Sequence, residues 1–180
     1  EVRSSILTEL AGIYLDKLSN VEKARETYQQ LLRESPSDAS ALEFMEGEYR
    51  KAGDYKAIHS MYRRVVDATW DSDERIEYTR RASEIAEKEL HQVELSVSDW
   101  EHLWSIGETG EEVQNSLMTV YREHGKWDRL AGFIRERCVD WKATQRLGLR
   151  EVVEIYLSGL GDADKASETL KGLLEERPRD

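Results

Sequence analysis

Apolar residues recur along this chain at spacings of three and four, the period of one α-helical face. Val21, Ala24, Tyr28, Leu31 and Leu32 set the pattern, with steps of 3, 4, 3 and 1. The same steps fit Tyr55, Ile58, Tyr62, Val65 and Val66, then Val93, Ser96, Trp100, Leu103 and Trp104. They fit Trp127, Leu130, Ile134, Arg137 and Cys138, and again Ala163, Ala166, Leu170, Leu173 and Leu174. Arg137 is the charged exception; its long stem can cover apolar surface while the guanidinium reaches water. A second periodic set precedes each of these. It runs Leu7, Leu10, Ala11, Tyr14; then Leu42, Met45, Glu46, Tyr49; then Thr79, Ala82, Ser83, Ala86. Gln114, Leu117, Met118, Tyr121 and then Leu149, Val152, Val153, Tyr156 complete it. The pattern predicts five helix pairs and an all-α fold.

Breakers and caps place the ends. Gly53-Asp54, Gly125-Lys126 and Gly161-Asp162 separate the helices of a pair, and Pro36-Ser37-Asp38 and Asp71-Ser72-Asp73 separate pairs. Ser37 or Asp38 is the expected N-cap. Helices are predicted near 3–18, 21–34, 39–52, 55–69, 74–89, 93–106, 111–124, 127–139, 144–158 and 163–176. Serine and β-branched residues in 93–98 predict an irregular first turn there. The internal turn alternates in length: Tyr14 to Val21 is 7 residues, and Tyr49 to Tyr55 is 6.

The pairs also repeat in sequence. Tyr49–Tyr55 returns as Tyr121–Trp127, 72 residues later (121 − 49). Ile13–Pro36 returns as Ile155–Pro178, 142 residues later (155 − 13). Such periodicity signifies stacked units, here near 3–38, 39–73, 74–110, 111–145 and 146–180 of one repeat domain spanning 1–180. The third unit has small or polar residues at Thr79, Ala82, Ser83 and Ala86, so it is the expected weakest joint.

Composition narrows the function. Among 180 residues the formal net charge is −11, which opposes non-specific binding to nucleic acid or anionic lipid. No apolar run has the length of a membrane helix and no signal peptide is visible, so a cytoplasmic setting is expected. The chain opens inside helical pattern, as a fragment of a longer protein would. The four histidines form no metal-ligand spacing, and the turn glycines make no phosphate loop. Neither a catalytic site, nor a cofactor, nor a metal is expected. Cys138 falls in the buried register and reads as a packed thiol rather than a nucleophile. Trp100, Trp104 and Trp127 read as core, and Trp70 and Trp141, 71 apart, as covers of the joints between units. Ile6, Leu10 and Ile13 at one end, and Leu170, Leu173 and Leu174 at the other, lack a covering unit. Either the natural chain continues or copies associate end to end.

Leu10, Ala11, Tyr14, Ala24, Tyr28, Leu31 and Pro36 resemble the signature of the tetratricopeptide repeat family. So do Val152, Tyr156, Ala166, Leu170, Leu173 and Pro178, and the pairs Gly53 with Tyr55 and Gly125 with Trp127. The texture is similar to that of long bacterial multi-repeat members. Glu46, Met118 and Val153 depart from the family, which has Ala or Gly there. The resemblance implies a right-handed α-α superhelix, or solenoid, and a non-catalytic scaffold that presents a concave groove to a partner peptide or helix. It puts Phe44, Gly47, Arg50, Lys51, Arg80, Arg81, Lys88, Asn115, Thr119, Arg122 and Arg150 on that groove. Its basic middle would suit an acidic partner, although Glu43, Glu84, Glu87 and Glu123 share the same helices. The alternatives are an architectural segment of a larger protein, or an RNA-processing scaffold of the half-a-tetratricopeptide type, to which Ala24-Arg25-Glu26-Thr27-Tyr28 is similar.

Overall fold

The computed structural model describes residues 2–138 and 142–175, with side chains placed for 3–136 and 148–172. Among the described residues the chain forms ten α-helices, one π-helical segment and no strand. The helices are α1 (Val2–Asp16), α2 (Val21–Glu34), α3 (Ala39–Ala52), α4 (Tyr55–Ala68) and α5 (Ser72–Lys88). They continue as α6 (Val93–Ser105), α7 (Glu111–Glu123), α8 (Trp127–Cys138), α9 (Lys142–Glu154) and α10 (Ala163–Glu175). The π-helical segment, Ile155–Gly159, extends α9. Two compact units result, Glu1–Val113 and Gln114–Asp180.

Hydrogen bonding at the turns accounts for the alternation in length. In the short turns, Gly53 and Gly125 adopt left-handed φ values of 69° and 63°. Asp54 N donates to Tyr49 O (2.9 Å) and Lys126 N to Tyr121 O (2.7 Å), the six-to-one closure of a Schellman cap. In the long turns the left-handed residues are Ser19, His91 and Gly161. Here Leu18 N, Leu90 N and Leu160 N donate five residues back, to Ile13 O, Ile85 O and Ile155 O. Asn20 N, Gln92 N and Asp162 N then donate six residues back, to Tyr14 O, Ala86 O and Tyr156 O. The extra residue is thus absorbed by widening the last helical turn.

Side-chain caps start the next helices. Asn20, Asp38, Asp54, Asp71 and Asp162 accept from the backbone N of the residue three positions on. Asp71 starts α5 at Ser72, two residues earlier than the sequence predicts. Helix α6 runs from Val93, and its first turn departs from those capped helices as expected: it has no side-chain cap, and Leu95 N donates three residues back to Gln92 O at 3.0 Å. Ser96 and Val97 are buried there, and tertiary packing outweighs their weak local preference.

In the first unit each helix packs on its successor from α1 to α6. Leu7, Ala11, Tyr28, Leu31, Leu42, Met45, Ile58, Tyr62, Val65 and Ala82 form a continuous core, as the spacing predicts, and Ile85 joins it outside the predicted set. In the second unit α8 packs on α9 and α9 on α10. The ring centroids of Tyr121 and Phe133 lie 6.2 Å apart, joining α7 to α8. Val152, Val153, Tyr156 and Ala166 are buried in this unit. Val21, Leu10 and Leu170 fall in the predicted register yet are exposed, because no described helix covers those positions. Trp70 is 91% exposed and covers no joint; its ring instead receives the Arg75 guanidinium at 5.4 Å. Trp141 and the Cys138 and Arg137 side chains lie outside what is described.

Candidate functional site

Of the charged residues that the family resemblance puts on a groove, Arg50 and Lys51 lie on α3 and Arg80, Arg81 and Lys88 on α5, with α4 between them in sequence. All three helices border one cavity of about 240 Å³. Its walls are Glu46 and Arg50 of α3, Arg81, Glu84, Ile85 and Lys88 of α5, Glu89 just beyond, and Tyr62 of α4. Helical spacing alone explains the pairing on these walls, since residues three or four apart are neighbours on one face. Arg50 Nη2 lies 2.8 Å from Glu46 Oε1, and Arg81 Nε lies 2.8 Å from Glu77 Oε1. Lys88 Nζ lies 3.4 Å from Glu84 Oε2.

Tyr62 is the buried floor of the cavity. Burial first, and then a hydrogen bond to Glu46, push its hydroxyl far above the ordinary tyrosine range, so it stays neutral and donates. Its ring centroid is 5.5 Å from that of Tyr78, and the Arg81 guanidinium lies 5.3 Å from the Tyr78 centroid. The hydrogen bond from Arg81 pulls the Glu77 carboxyl below its ordinary range, and the guanidinium is raised in return. Glu46 acts likewise on Arg50, with Glu89 adding a smaller attraction. The cavity is therefore lined by both signs of charge over an aromatic floor.

The remaining groove residues are placed as follows. Phe44 is half-buried, with its ring centroid 4.7 Å from that of Tyr28, so it serves the junction of α2 with α3. At Gly47 an added Cβ would meet nothing within 4 Å. Lys51 lies 2.7 Å from Glu48, which also binds Arg25 at 2.8 Å. Arg80 reaches Glu77 at 2.7 Å and Glu112 at 2.5 Å. Asn115, Thr119, Arg122 and Arg150 are exposed and belong to the second unit, where Arg122 lies 2.5 Å from Glu151. Within the first unit, Arg50, Arg81 and Lys88 are the groove cations that share one cavity.

Two polar clusters went unpredicted. Asp99 of α6 is fully buried, with Oδ2 2.9 Å from His59 Nε2 and Oδ1 2.7 Å from Arg63 Nη1, both on α4. Its sequence signal is positional: Asp99 falls three residues after Ser96 and four before Leu103, on the buried face. In the second cluster Ser83 Oγ and Ser96 Oγ are 2.6 Å apart. Ser96 donates to Glu87 at 2.5 Å, and Trp100 Nε1 donates to Ser83 at 3.2 Å. Among the described residues, no group of three or more His, Cys, Asp or Glu side chains could hold a metal ion. No described helix is long and apolar enough to cross a membrane.

No protein-family model matches this chain, and no curated protein sequence matches it.

Proposed function

We propose that the chain is a tetratricopeptide-like scaffold, and that the cavity between α3, α4 and α5 receives a carboxylate-bearing peptide or helix of a partner protein. The observation that carries this reading is the gathering of Arg50, Arg81 and Lys88 around the Tyr62 floor. Each cation already touches a glutamate, but Arg50 and Arg81 are about half exposed. Exposed pairs contribute about 0–1 kcal/mol, so exchanging Glu77, itself well exposed, for a partner carboxylate on Arg81 costs little. Arginine offers two parallel donors to that incoming group. The neutral Tyr62 hydroxyl and the Ile85 side chain give an apolar and hydrogen-bonding surface beneath it. The net charge of −11 favours a protein partner over RNA.

A displayed peptide library panned on the immobilised chain tests this. The expected result is saturable binding of peptides enriched in Asp or Glu, weakened about tenfold or more by Arg50→Glu or Arg81→Glu, a loss of about 1.4 kcal/mol. Absence of any saturable binder, or binders indifferent to both folded variants, would overturn it.

A further inference from the structure

The cavity bordered by α3, α4 and α5 is lined by both signs of charge in equal number, Arg50, Arg81 and Lys88 against Glu46, Glu84 and Glu89. An incoming segment that bears only acids meets no net attraction there, because its charge lies near glutamates as well as arginines. A segment that bears both signs can answer both. The cavity is small, about 240 Å³, so the two charges come from neighbouring residues of one segment.

The acids of the lining differ in how far they are satisfied. Glu46 lies 2.8 Å from Arg50, and Glu84 lies 3.4 Å from Lys88. Glu89 attracts Arg50 from a distance and, among the described residues, makes no side-chain hydrogen bond or ion pair. Its backbone explains its place: Glu89 N donates to Ile85 O at 3.1 Å and closes the 17-residue helix α5. That is the negative end of the helix dipole, where an acidic side chain is disfavoured and a cation is favoured. Lys88 stands next to it, but its ammonium is drawn to Glu84. A net charge of −11 leaves many acids on the surface of this chain. Glu89 differs from an ordinary one in sharing a cavity with the buried Tyr62 and Ile85.

We propose that the partner segment received by this cavity carries both signs of charge: a carboxylate for Arg81 and, within a few residues of it, a lysine or arginine whose cation is taken by Glu89. This rests on the carboxylate reading of the cavity and adds the second half of the ligand. The partner's cation meets an unpaired carboxylate and the negative end of α5 together, so it displaces no existing pair. Charge pairing at both ends of the cavity also fixes the direction in which the segment lies.

Panning a displayed random peptide library on the immobilised chain, and in parallel on Glu89→Gln, tests the proposal. Wild type should select peptides in which Lys or Arg recurs at a fixed spacing of a few residues from Asp or Glu. Glu89→Gln, with unchanged helical circular dichroism, should still select the acid but lose the enrichment in Lys or Arg. In a synthetic peptide selected on wild type, the basic residue is then replaced by Gln. Binding should weaken about threefold to tenfold on wild type and stay unchanged on Glu89→Gln, the coupling of one exposed ion pair at a helix end. Selection of acids with no recurring base, or an equal loss on both chains, overturns the proposal and leaves the carboxylate reading standing. Binding that ignores Arg50→Glu and Arg81→Glu, or no saturable binder at all, overturns both.

Discussion

Asp99 on α6 and His59 on α4 meet at 2.9 Å in the core, and the same carboxylate holds Arg63 at 2.7 Å. Asp99 is fully buried, whereas the comparable contact of His102 with Asp67, at 2.6 Å, is open to solvent. Removing a buried partner strands the others, while an exposed pair contributes about 0–1 kcal/mol. Asp99→Ala should lose roughly 2–4 kcal/mol. Asp67→Ala should lose less than about 1 kcal/mol. Urea unfolding of the two variants compares them; similar midpoints would contradict a structural role for the buried carboxylate.

Gly159 closes the π-helical segment against the indole of Trp127. A Cβ at this position would stand 2.8 Å from Trp127 Cδ2 and 2.9 Å from Cγ, closer than packed atoms allow. Gly159→Ala is therefore expected to destabilise the second unit by about 1–3 kcal/mol, the range for overpacking. Pairing it with Trp127→Phe, which shrinks the ring, should recover part of that loss. A double-mutant cycle with no coupling would place the cost elsewhere.

The helices and their alternating turns were legible because they rest on local chemistry: glycine at Gly53 and Gly125, and caps such as Asp38 and Asp54. Ser19 and His91 were not legible as left-handed residues, since neither type announces that conformation. Their positions follow only from the shared register with Gly161. For the candidate site, the family resemblance put Arg50, Arg81 and Lys88 on one groove, and nothing local in the sequence gave their distances from Glu46, Glu77 and Glu84. Tyr62 was assigned to the core alone, and its hydrogen bond to Glu46 depends on how α3 and α4 meet. The Asp99 contacts span 40 residues to His59 and 36 to Arg63, and depend on the same kind of tertiary information. Trp70 misled because a large aromatic suggests cover, whereas its position after Thr69 leaves the ring outside the core.

The left-handed turn residues carry a measurable strain. For a non-glycine residue that conformation costs roughly 1–2 kcal/mol, against about 0.5–1 kcal/mol of extra unfolded-state entropy for glycine. Ser19 and His91 are both exposed, with φ of 49° and 55°. Ser19→Gly and His91→Gly should each stabilise the first unit by about 0.5–1 kcal/mol. Gly53→Ala should destabilise it by a similar amount or more. Thermal melts of the three variants check the signs, and a destabilised Ser19→Gly would mean that its side chain contributes more than its backbone costs.

Glu108 should govern part of the acid sensitivity. Hydrogen bonds from Ser72 Oγ at 2.6 Å and Arg75 Nη1 at 2.8 Å hold its carboxyl below the ordinary 4.5, with the serine bond the larger cause. A depressed folded pKa stabilises the fold above the unfolded value and loses that contribution as pH falls through the folded one. Glu108→Gln should therefore be less stable than wild type at neutral pH, with the gap narrowing below about pH 4.5. Denaturant midpoints across that range read the effect; a gap independent of pH would rule out the carboxylate's charge as its source.

Thr79 lies in the third repeat unit, where the sequence predicts the weakest joint. Its Oγ1 is buried with no hydrogen-bond partner among the described residues, while the nearby Ser83 hydroxyl is satisfied by Ser96 and Trp100. A buried hydroxyl without a partner loses its hydration and recovers nothing, at a cost of about 1–3 kcal/mol. Valine has nearly the same shape and no polar atom to desolvate. Thr79→Val should raise stability by about 1 kcal/mol and increase amide protection along α5. Ser83→Ala, made in the same background, should lower both because it leaves Trp100 Nε1 unpaired. Hydrogen exchange on the two variants separates the cases, and a loss of α5 protection in Thr79→Val would show that the hydroxyl is bonded after all.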